Sequence, residues 1–139
     1  MKVAVVCANG RVGGLVVKEA INRGLDVTAI AKGENKTAIK KYVCKDLFDL
    51  TAADLEGFDV VVDAFGAWAE DELPNHTKSL MHLCDILSGK KTRLVIVGGA
   101  GSLYVNKEHT AVVSDGPDFP PQFLPLAKAQ GKALEELRG

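Results

Sequence analysis

"VVCANGRVGG", the stretch from Val5 to Gly14, joins an apolar run to a group of glycines and decides how the chain begins to fold. The run Val3–Cys7 carries no polar residue, which is typical of a strand buried on both faces of a parallel sheet. After the glycines, apolar side chains recur at helical spacing: Val12, Leu15, Val16 and Ala20. The stretch therefore predicts a strand, a glycine turn and a helix.

Strands and helices are predicted to alternate along the rest of the chain. Gly24 is expected to end the first helix. Apolar runs predict four more strands, at Val27–Ala31, Tyr42–Cys44, Phe58–Asp63 and Leu94–Gly98, and helical spacing predicts helices at Asn75–Leu87 and Leu126–Leu137. Five strands alternating with helices favour an α/β fold, a Rossmann-like doubly wound parallel sheet in three αβα layers. The length of 139 residues favours a single domain, residues 1–139.

Composition and charge argue against several classes of function. The chain is 47% hydrophobic and 25% charged, and its net charge is -1. Its basic and acidic residues are interspersed and form no basic stripe, so we expect no nucleic-acid or membrane binding. Three cysteines without C-x-x-C spacing, and three histidines that share no helix face, predict no disulfide and no metal site, with a cytoplasmic location. The opening "MKVAVVCANG" imitates a signal peptide, but its apolar run is too short, so we interpret it as a strand.

The glycines that follow the first strand have a chemical interpretation. A bound diphosphate needs a tight turn, close approach of the backbone, and the amides at the start of the next helix. Gly10 and Gly13 fit a G-x-x-G-x-x-G pattern with Cys7 in place of its first glycine. Cysteine disfavours a positive φ but is tolerated at a negative one, so we expect weakened rather than abolished dinucleotide binding. The alternative is that the glycines only let the helix pack closely on the strand.

Lys32 bears on the choice between NADP and NAD. It follows the second strand, where an NAD site usually places an acid for the ribose hydroxyls and an NADP site a basic side chain for the 2′-phosphate. The sequence therefore favours NADP, with Arg11 beside the adenosine side of the phosphates. Two alternatives stay open: Lys32 is a solvated turn residue, or Glu34 binds a ribose.

Five stretches together resemble the atypical short-chain dehydrogenase/reductase superfamily: "VVCANGRVGG", "AIAKGENK", "CKDLFDLT", "VVVDAFGAW" and "LVIVGGAGS". Within it, the chain is most similar to the NAD(P)H-binding, NmrA-like group to which NADH-flavin reductases are ascribed. The resemblance covers nearly all 139 residues. It implies a Rossmann fold and a nicotinamide cofactor, NADP or NAD.

The resemblance also implies roles for individual residues. The pyrophosphate would be held at the glycine loop by Asn9, Gly10, Arg11, Val12 and Gly13, with Cys7 beside them. Lys32 would serve the adenosine phosphate, Asp46 and Leu47 the adenine, and Ala64, Phe65 and Gly66 the nicotinamide ribose. For Asp46, a helix or turn cap is the alternative interpretation.

The residues for acid-base catalysis of carbonyl reduction are incomplete. That chemistry uses a serine with a tyrosine and a lysine four apart, and here Ser102 is present but Tyr104 and Lys107 are three apart. Hydride transfer to a flavin or a quinone-like acceptor demands less of the protein. In that interpretation Ser102 and Tyr104 are the candidate catalytic residues and Gly98 and Gly99 let the backbone lie near the nicotinamide. Three aromatic side chains would stack on a flat ring: Phe65, Trp68 and Tyr104. The alternative is that these rings only pack in the core or lie at the surface.

We therefore predict an NAD(P)H-dependent oxidoreductase that transfers hydride to a small-molecule acceptor, a flavin or a quinone-like compound. The alternative is a non-catalytic NAD(P)-binding sensor of the NmrA-like type. The chain stops where the resemblance implies a further strand and a C-terminal substrate segment, so it resembles a C-terminally shortened member. An open sheet edge would then favour a homo-oligomer.

Overall fold

The computed structural model describes residues 1–37, 39–66, 70–98, 100–117 and 119–138. Its strands are β1 (Lys2–Val6), β2 (Asp26–Ala31), β3 (Tyr42–Cys44), β4 (Val60–Asp63) and β5 (Arg93–Ile96). Its α-helices are α1 (Arg11–Asn22), α2 (Asn75–Leu87) and α3 (Leu124–Arg138). Within these described ranges, no helix combines the length and the apolar character that crossing a membrane requires.

The chain divides into two compact units. The first contains Met1–Gly66 and His82–Val97, and the second contains Ala67–Met81 and Gly98–Gly139. The whole sheet, α1 and the C-terminal half of α2 belong to the first unit. The N-terminal half of α2 and all of α3 belong to the second unit.

The five strands form one parallel sheet in the order β3-β2-β1-β4-β5. This order confirms the predicted doubly wound fold, because the chain starts at the centre, runs outward to β3 and returns to place β4 on the other side of β1. Predicted strand ends agree to within two residues. β4 begins at Val60 rather than Phe58, and β5 ends at Ile96 rather than Gly98, because both apolar runs extend beyond the residues that pair in the sheet.

β5 is an edge strand within the described part of the chain, where it pairs with β4 alone. Val95 in this strand and Val97 just after it are 42% and 37% exposed. Exposed apolar edges of this kind favour pairing with another chain. Oligomerisation through this edge stays a prediction.

Apolar side chains on the two faces of the sheet form two clusters. In the α1-side cluster, alternate residues of β1 and β2 pack with Val17 and Ala20 of α1. In the α2-side cluster, the other residues of β1 and β2 pack with β4 and with Leu83 and Leu87 of α2. Successive strand residues point to opposite faces, so helices cover both sides of the sheet. The three αβα layers are confirmed.

The buried face of helix α1 matches the predicted one in part. Ala20 is buried and Val16 packs against the α1-side cluster, as predicted, whereas Val12 and Leu15 are 42% and 63% exposed. The prediction is wrong for Val12 and Leu15 because Gly13 and Val17 are buried instead, and Gly13, which has no side chain, approaches the preceding loop most closely. The buried side of the helix therefore includes a residue that has no side chain. Gly24, with a φ of 72°, follows the helix as predicted.

The second unit contains α3 and a short hairpin, residues 103–113. Two backbone hydrogen bonds close the hairpin: the Val105 amide donates to the Ala111 carbonyl at 3.1 Å, and the Val113 amide donates to the Leu103 carbonyl at 2.9 Å. At the tip, Asn106 Oδ1 accepts from the Thr110 amide at 3.1 Å. In this unit α3 buries two small side chains, Ala127 and Ala133.

Candidate functional site

The carboxyl ends of β1 and β4 meet at the centre of the sheet. Val6 and Asp63 are register partners, and the Ala64 amide donates to the Val6 carbonyl at 3.2 Å. From these neighbouring strands the chain continues to opposite sides of the sheet. In doubly wound folds, ligands bind in the crevice that opens at such a switch in strand order. The loops after β1 and β4 carry most of the predicted cofactor residues.

Cys7 follows β1 directly, and its φ is 63°. The Cys7 and Ala8 amides both donate to the Ile30 carbonyl of β2, at 2.8 and 3.2 Å. Cysteine would be tolerated at a negative φ, but the structure has the left-handed conformation, which costs a non-glycine residue about 1 kcal/mol or more. Burial, followed by the charge of Asp63, raises the pKa of the Cys7 thiol to about 12. The thiol is therefore neutral near pH 7 and places no negative charge in the loop.

The three glycines of this loop differ in the space around them. A Cβ atom on Gly13 would lie 2.4 Å from the Cys7 carbonyl oxygen and 2.8 Å from the Ala8 Cα, so packing requires a glycine there. On Gly10 and Gly14 the nearest atoms would be 3.5 and 3.7 Å away, which are ordinary contact distances. Gly10 has a φ of -74°, which any residue adopts. Close packing thus explains why a glycine is needed at Gly13, but it does not explain the glycine at Gly10.

Gly10 is also the N-cap residue of α1. Among the residues that the structure describes, no side chain caps this helix, and its first turn contains no acidic residue. The first amides of a helix lack intrahelical partners and carry the positive end of the helix dipole. Arg11 adds a formal positive charge at the same end. This combination of amides, dipole and cation is suited to binding a diphosphate.

The Asn9 side chain contacts the loop between β2 and β3, residues 32–41. Its Nδ2 donates to the carbonyls of Lys32 and Glu34 at 3.1 and 2.8 Å, and its Oδ1 accepts from the Lys36 amide at 2.9 Å. These bonds occupy the side chain of Asn9, one of the residues that the resemblance assigns to the pyrophosphate. The assignment stays a prediction for the backbone of Asn9.

Lys32 and Asp46 lie together at the ends of β2 and β3. The Lys32 side chain is 77% exposed, and its Nζ is 3.9 Å from Asp46 Oδ2. Asp46 also caps a 3₁₀ turn, since its Oδ1 accepts from the Phe48 amide at 3.0 Å. The cap is the alternative that the sequence left open for Asp46. An exposed ammonium with one loose carboxylate partner retains the capacity to bind a phosphate.

Leu47 and Phe48 follow Asp46 and lie in different surroundings. Leu47 is 5% exposed, and its side chain belongs to the α2-side cluster. Phe48 is 40% exposed, and its ring centroid lies 6.3 Å from that of His82. The sequence reasoning missed Phe48, although burial of one residue in a 3₁₀ turn leaves its neighbour outside. An exposed ring beside Asp46 provides a surface on which a planar base can stack.

The loop after β4 consists of Ala64, Phe65 and Gly66. The Phe65 amide donates to Oδ1 of the buried Asp63 at 3.0 Å, and the Phe65 ring packs against the α2-side cluster. Among the described residues, and leaving out each glycine's own chain neighbours, no atom lies within 4 Å of the place of a Cβ at Gly66 or at Gly98. Two further predicted positions, Trp68 and Gly99, lie outside the described residues.

Ser102 and Tyr104, the candidate catalytic residues, belong to the second unit. Ser102 ends the 3₁₀ turn Ala100–Ser102. The Tyr104 ring stacks on His109, with centroids 4.2 Å apart and planes 2° from parallel. Arg138 Nη1 donates to the Tyr104 hydroxyl at 3.4 Å. One face of the phenol ring is therefore covered.

A cavity of about 480 Å³ lies between the hairpin and α3. Ser102 and Tyr104 both line it, so the structure brings the two candidate residues to one cavity. Its lining includes charged side chains of both signs: Lys128, Lys132, Arg138, Asp115 and Glu135. Its volume falls in the range of small-molecule sites.

Known proteins share both the sequence pattern and the fold of this chain. The profile of a family described as NAD(P)H-binding matches residues 7–139. SP1627 from Streptococcus pneumoniae TIGR4, a proposed NADH-flavin reductase, is 51% identical, with a TM-score of 0.95 over 99% of this chain and 66% of SP1627. YwnB of Bacillus subtilis (strain 168), an uncharacterized protein, is 42% identical over 141 residues, which are 99% of this chain and 66% of YwnB. Lmo0794 of Listeria monocytogenes is 32% identical, with a TM-score of 0.65 over 99% of this chain and 92% of Lmo0794. The chain thus spans 66% of the length of SP1627 and of YwnB.

Proposed function

Because this chain belongs to the NAD(P)H-binding family, we propose that it is an NAD(P)H-dependent oxidoreductase whose loop after β1 holds the pyrophosphate of the cofactor. This NAD(P)H-binding family agrees with the group that the motifs of the chain resemble. A bound nicotinamide dinucleotide supplies a hydride, and the residues of this chain bind and orient it.

The observation that carries this proposal is Gly10. Neither its φ of -74° nor its nearest Cβ contact of 3.5 Å requires a glycine. A residue without a side chain at a helix N-cap leaves room for a ligand to approach the backbone, which is what a pyrophosphate needs. The amides of Arg11 and Val12 follow it. Close approach at Gly10 and close packing at Gly13 are thus two separate requirements of one loop.

The acceptor is proposed to be a flavin or a quinone-like compound. SP1627, 51% identical to this chain, is a proposed NADH-flavin reductase, which supports a flavin. A conjugated ring spreads the charge that arrives with a hydride, so it needs no strong proton donor from the protein. Ser102 would donate a hydrogen bond to the acceptor, and Tyr104 would contribute ring surface, since both line one cavity.

NADP is proposed as the preferred cofactor. Lys32 is exposed after β2, and only Asp46, at 3.9 Å, is an ion-pair partner among the described residues. A 2′-phosphate carries more charge than Asp46 and would draw the ammonium toward itself. Replacing Lys32 with alanine is expected to remove the preference while leaving NAD+ binding intact.

The test of the proposed function compares Gly10→Asp with Gly10→Asn by calorimetry of NADP+ binding. Both residues are good N-caps of the same shape, so both variants are expected to fold at least as stably as the wild type. A carboxylate beside a diphosphate in a partly buried site should weaken binding about tenfold or more relative to the amide variant. Equal affinities for the Asp variant and the wild type would contradict a pyrophosphate at this loop.

Turnover separates an enzyme from a sensor. NADPH oxidation by the wild-type chain with free flavin as the acceptor supports the oxidoreductase, and Gly10→Asp supplies the inactive control. Binding of NADP+ without flavin-dependent oxidation of NADPH would favour the non-catalytic sensor instead.

A further inference from the structure

We infer that Asn9 and Tyr42 determine the cofactor preference of this chain by fixing the loop that carries Lys32. This inference rests on the proposed function, because it concerns how the same site distinguishes NADP from NAD. The two residues, called the Asn9–Tyr42 pair below, hold residues 32–36 against the loop after β1. They act through Lys32 and are positioning residues.

Asn9 is the centre of this arrangement. Its Nδ2 has the Lys32 carbonyl at 3.1 Å, the Glu34 carbonyl at 2.8 Å and the Tyr42 hydroxyl at 3.2 Å, while its Oδ1 accepts from the Lys36 amide at 2.9 Å. Carbonyl oxygens surround the nitrogen and an amide N–H faces the oxygen, so the chemistry fixes which end of the amide is which. The two N–H groups of the side chain are thus shared among three acceptors, two in the loop and one on Tyr42, and its oxygen accepts from the same loop.

Tyr42 supports the same loop from the first residue of β3. Its hydroxyl lies 2.8 Å from the Gly33 carbonyl and 3.1 Å from the Ala31 carbonyl. Its single O–H is shared between these two carbonyls, and its oxygen accepts from Asn9 Nδ2. The pair therefore links β1, β2 and β3 at the edge of the sheet where the cofactor is proposed to bind.

The pair fixes the backbone of Lys32 and leaves its side chain exposed. Its carbonyl accepts from Asn9, while 77% of its side chain is exposed. An ammonium on a long flexible stem binds a phosphate more tightly when its backbone is already in place, because less conformational entropy is lost on binding. NAD+ lacks the 2′-phosphate and gains nothing from Lys32. Loss of the pair should therefore weaken NADP+ binding more than NAD+ binding.

The experiment measures the dissociation constants of NADP+ and NAD+ by calorimetry for the wild type and for Asn9→Ala, Tyr42→Phe and Lys32→Ala. The ratio of the two constants cancels any general damage to the shared part of the site. Asn9→Ala and Tyr42→Phe are each expected to lower the preference for NADP+ about fivefold, as for one lost hydrogen bond. Lys32→Ala should abolish the preference.

Asn35→Ala is the matched control, because Asn35 lies in the same loop but its side chain, among the described residues, bonds only to Thr37 and Ile39. It is expected to leave the ratio unchanged, and an equal effect from this control would overturn the inference. A second readout needs no cofactor: hydrogen exchange of the Lys36 amide, which donates to Asn9, should be faster in Asn9→Ala.

The outcomes separate the inference from the proposed function. A preference that Lys32→Ala removes and that Asn9→Ala and Tyr42→Phe leave intact overturns the inference alone. A wild-type chain that binds neither dinucleotide overturns the proposed function, and the inference with it.

Discussion

The loop after β1 and the hairpin of residues 103–113 are both candidate sites, but they are built from different parts of the chain. In the loop, the proposed site is formed by backbone: a positive φ at Cys7, a missing Cβ at Gly13 and a Gly10 whose own contacts do not require a glycine. In the hairpin, the candidate site is formed by side chains, with the Tyr104 ring stacked on His109 beside a cavity.

This difference determines how each region should respond to substitution. The backbone of the loop after β1 is tied to the sheet by contacts such as the hydrogen bond from the Cys7 amide to the Ile30 carbonyl. A substitution that shifts this backbone is therefore expected to lower the stability of the fold as well as the affinity for a ligand. A half-exposed side chain such as Tyr104, 43% exposed, can change without disturbing what lies beneath it.

The largest effect is expected for Gly13→Ala. The new Cβ would lie 2.4 Å from the Cys7 carbonyl oxygen, which belongs to backbone that the Cys7 amide ties to Ile30 of β2. We expect a loss of about 3 kcal/mol in the free energy of unfolding, measured with denaturant. Gly14→Ala is the matched control: its Cβ would have 3.7 Å of space, so a gain of about 0.5 kcal/mol is expected from helix propensity. Equal effects at the two positions would contradict the close approach at Gly13.

An intermediate effect is expected for Cys7→Gly. At neutral pH the variant should gain about 1 kcal/mol, because glycine adopts a φ of 63° without strain, and it should bind the dinucleotide more tightly. In the wild type the thiol pKa is raised from 9.0 to about 12, so the folded state keeps a proton that the unfolded state releases. The stabilisation from this group is present below pH 9.0 and is lost as the pH rises toward about 12.

Denaturant unfolding of both proteins across that pH range measures this prediction. The difference in the free energy of unfolding between wild type and Cys7→Gly should grow in favour of the variant as the pH rises. A constant difference would show that the thiol titrates equally in the two states.

The smallest effect is expected for Tyr104→Phe. Its hydroxyl accepts one long hydrogen bond, 3.4 Å from Arg138, and hydride transfer to a flavin needs no phenolic proton. Flavin-dependent NADPH oxidation should change less than about threefold, whereas a general acid contributes on the order of 100-fold or more. A loss of that larger size would identify Tyr104 as a proton donor and contradict the expectation that the hairpin tolerates this substitution better than the loop after β1 does.

Local pattern in the sequence was enough for most of the fold. The bounds of α2 and β3 agree with the prediction residue for residue, and the five strands are found where apolar runs predict them. Helical spacing identified Val16 and Ala20 of α1 correctly but not Val12 and Leu15, because a pattern of apolar side chains does not show that Gly13 packs closely by having no side chain. For the site, the glycine pattern located the loop but did not separate the role of Gly10 from that of Gly13.

The sequence by itself determined the order of strands and helices along the chain, the position of the glycine loop and the family resemblance, since each depends on residues close together in the chain. Only the tertiary structure decided the sign of φ at Cys7, the burial that keeps its thiol protonated, and the partners of Asn9, which lie 23 to 33 residues away. The physical reason is that spacing along the chain records local conformation, whereas strain, burial and hydrogen bonds between distant residues arise only when the strands come together in the sheet.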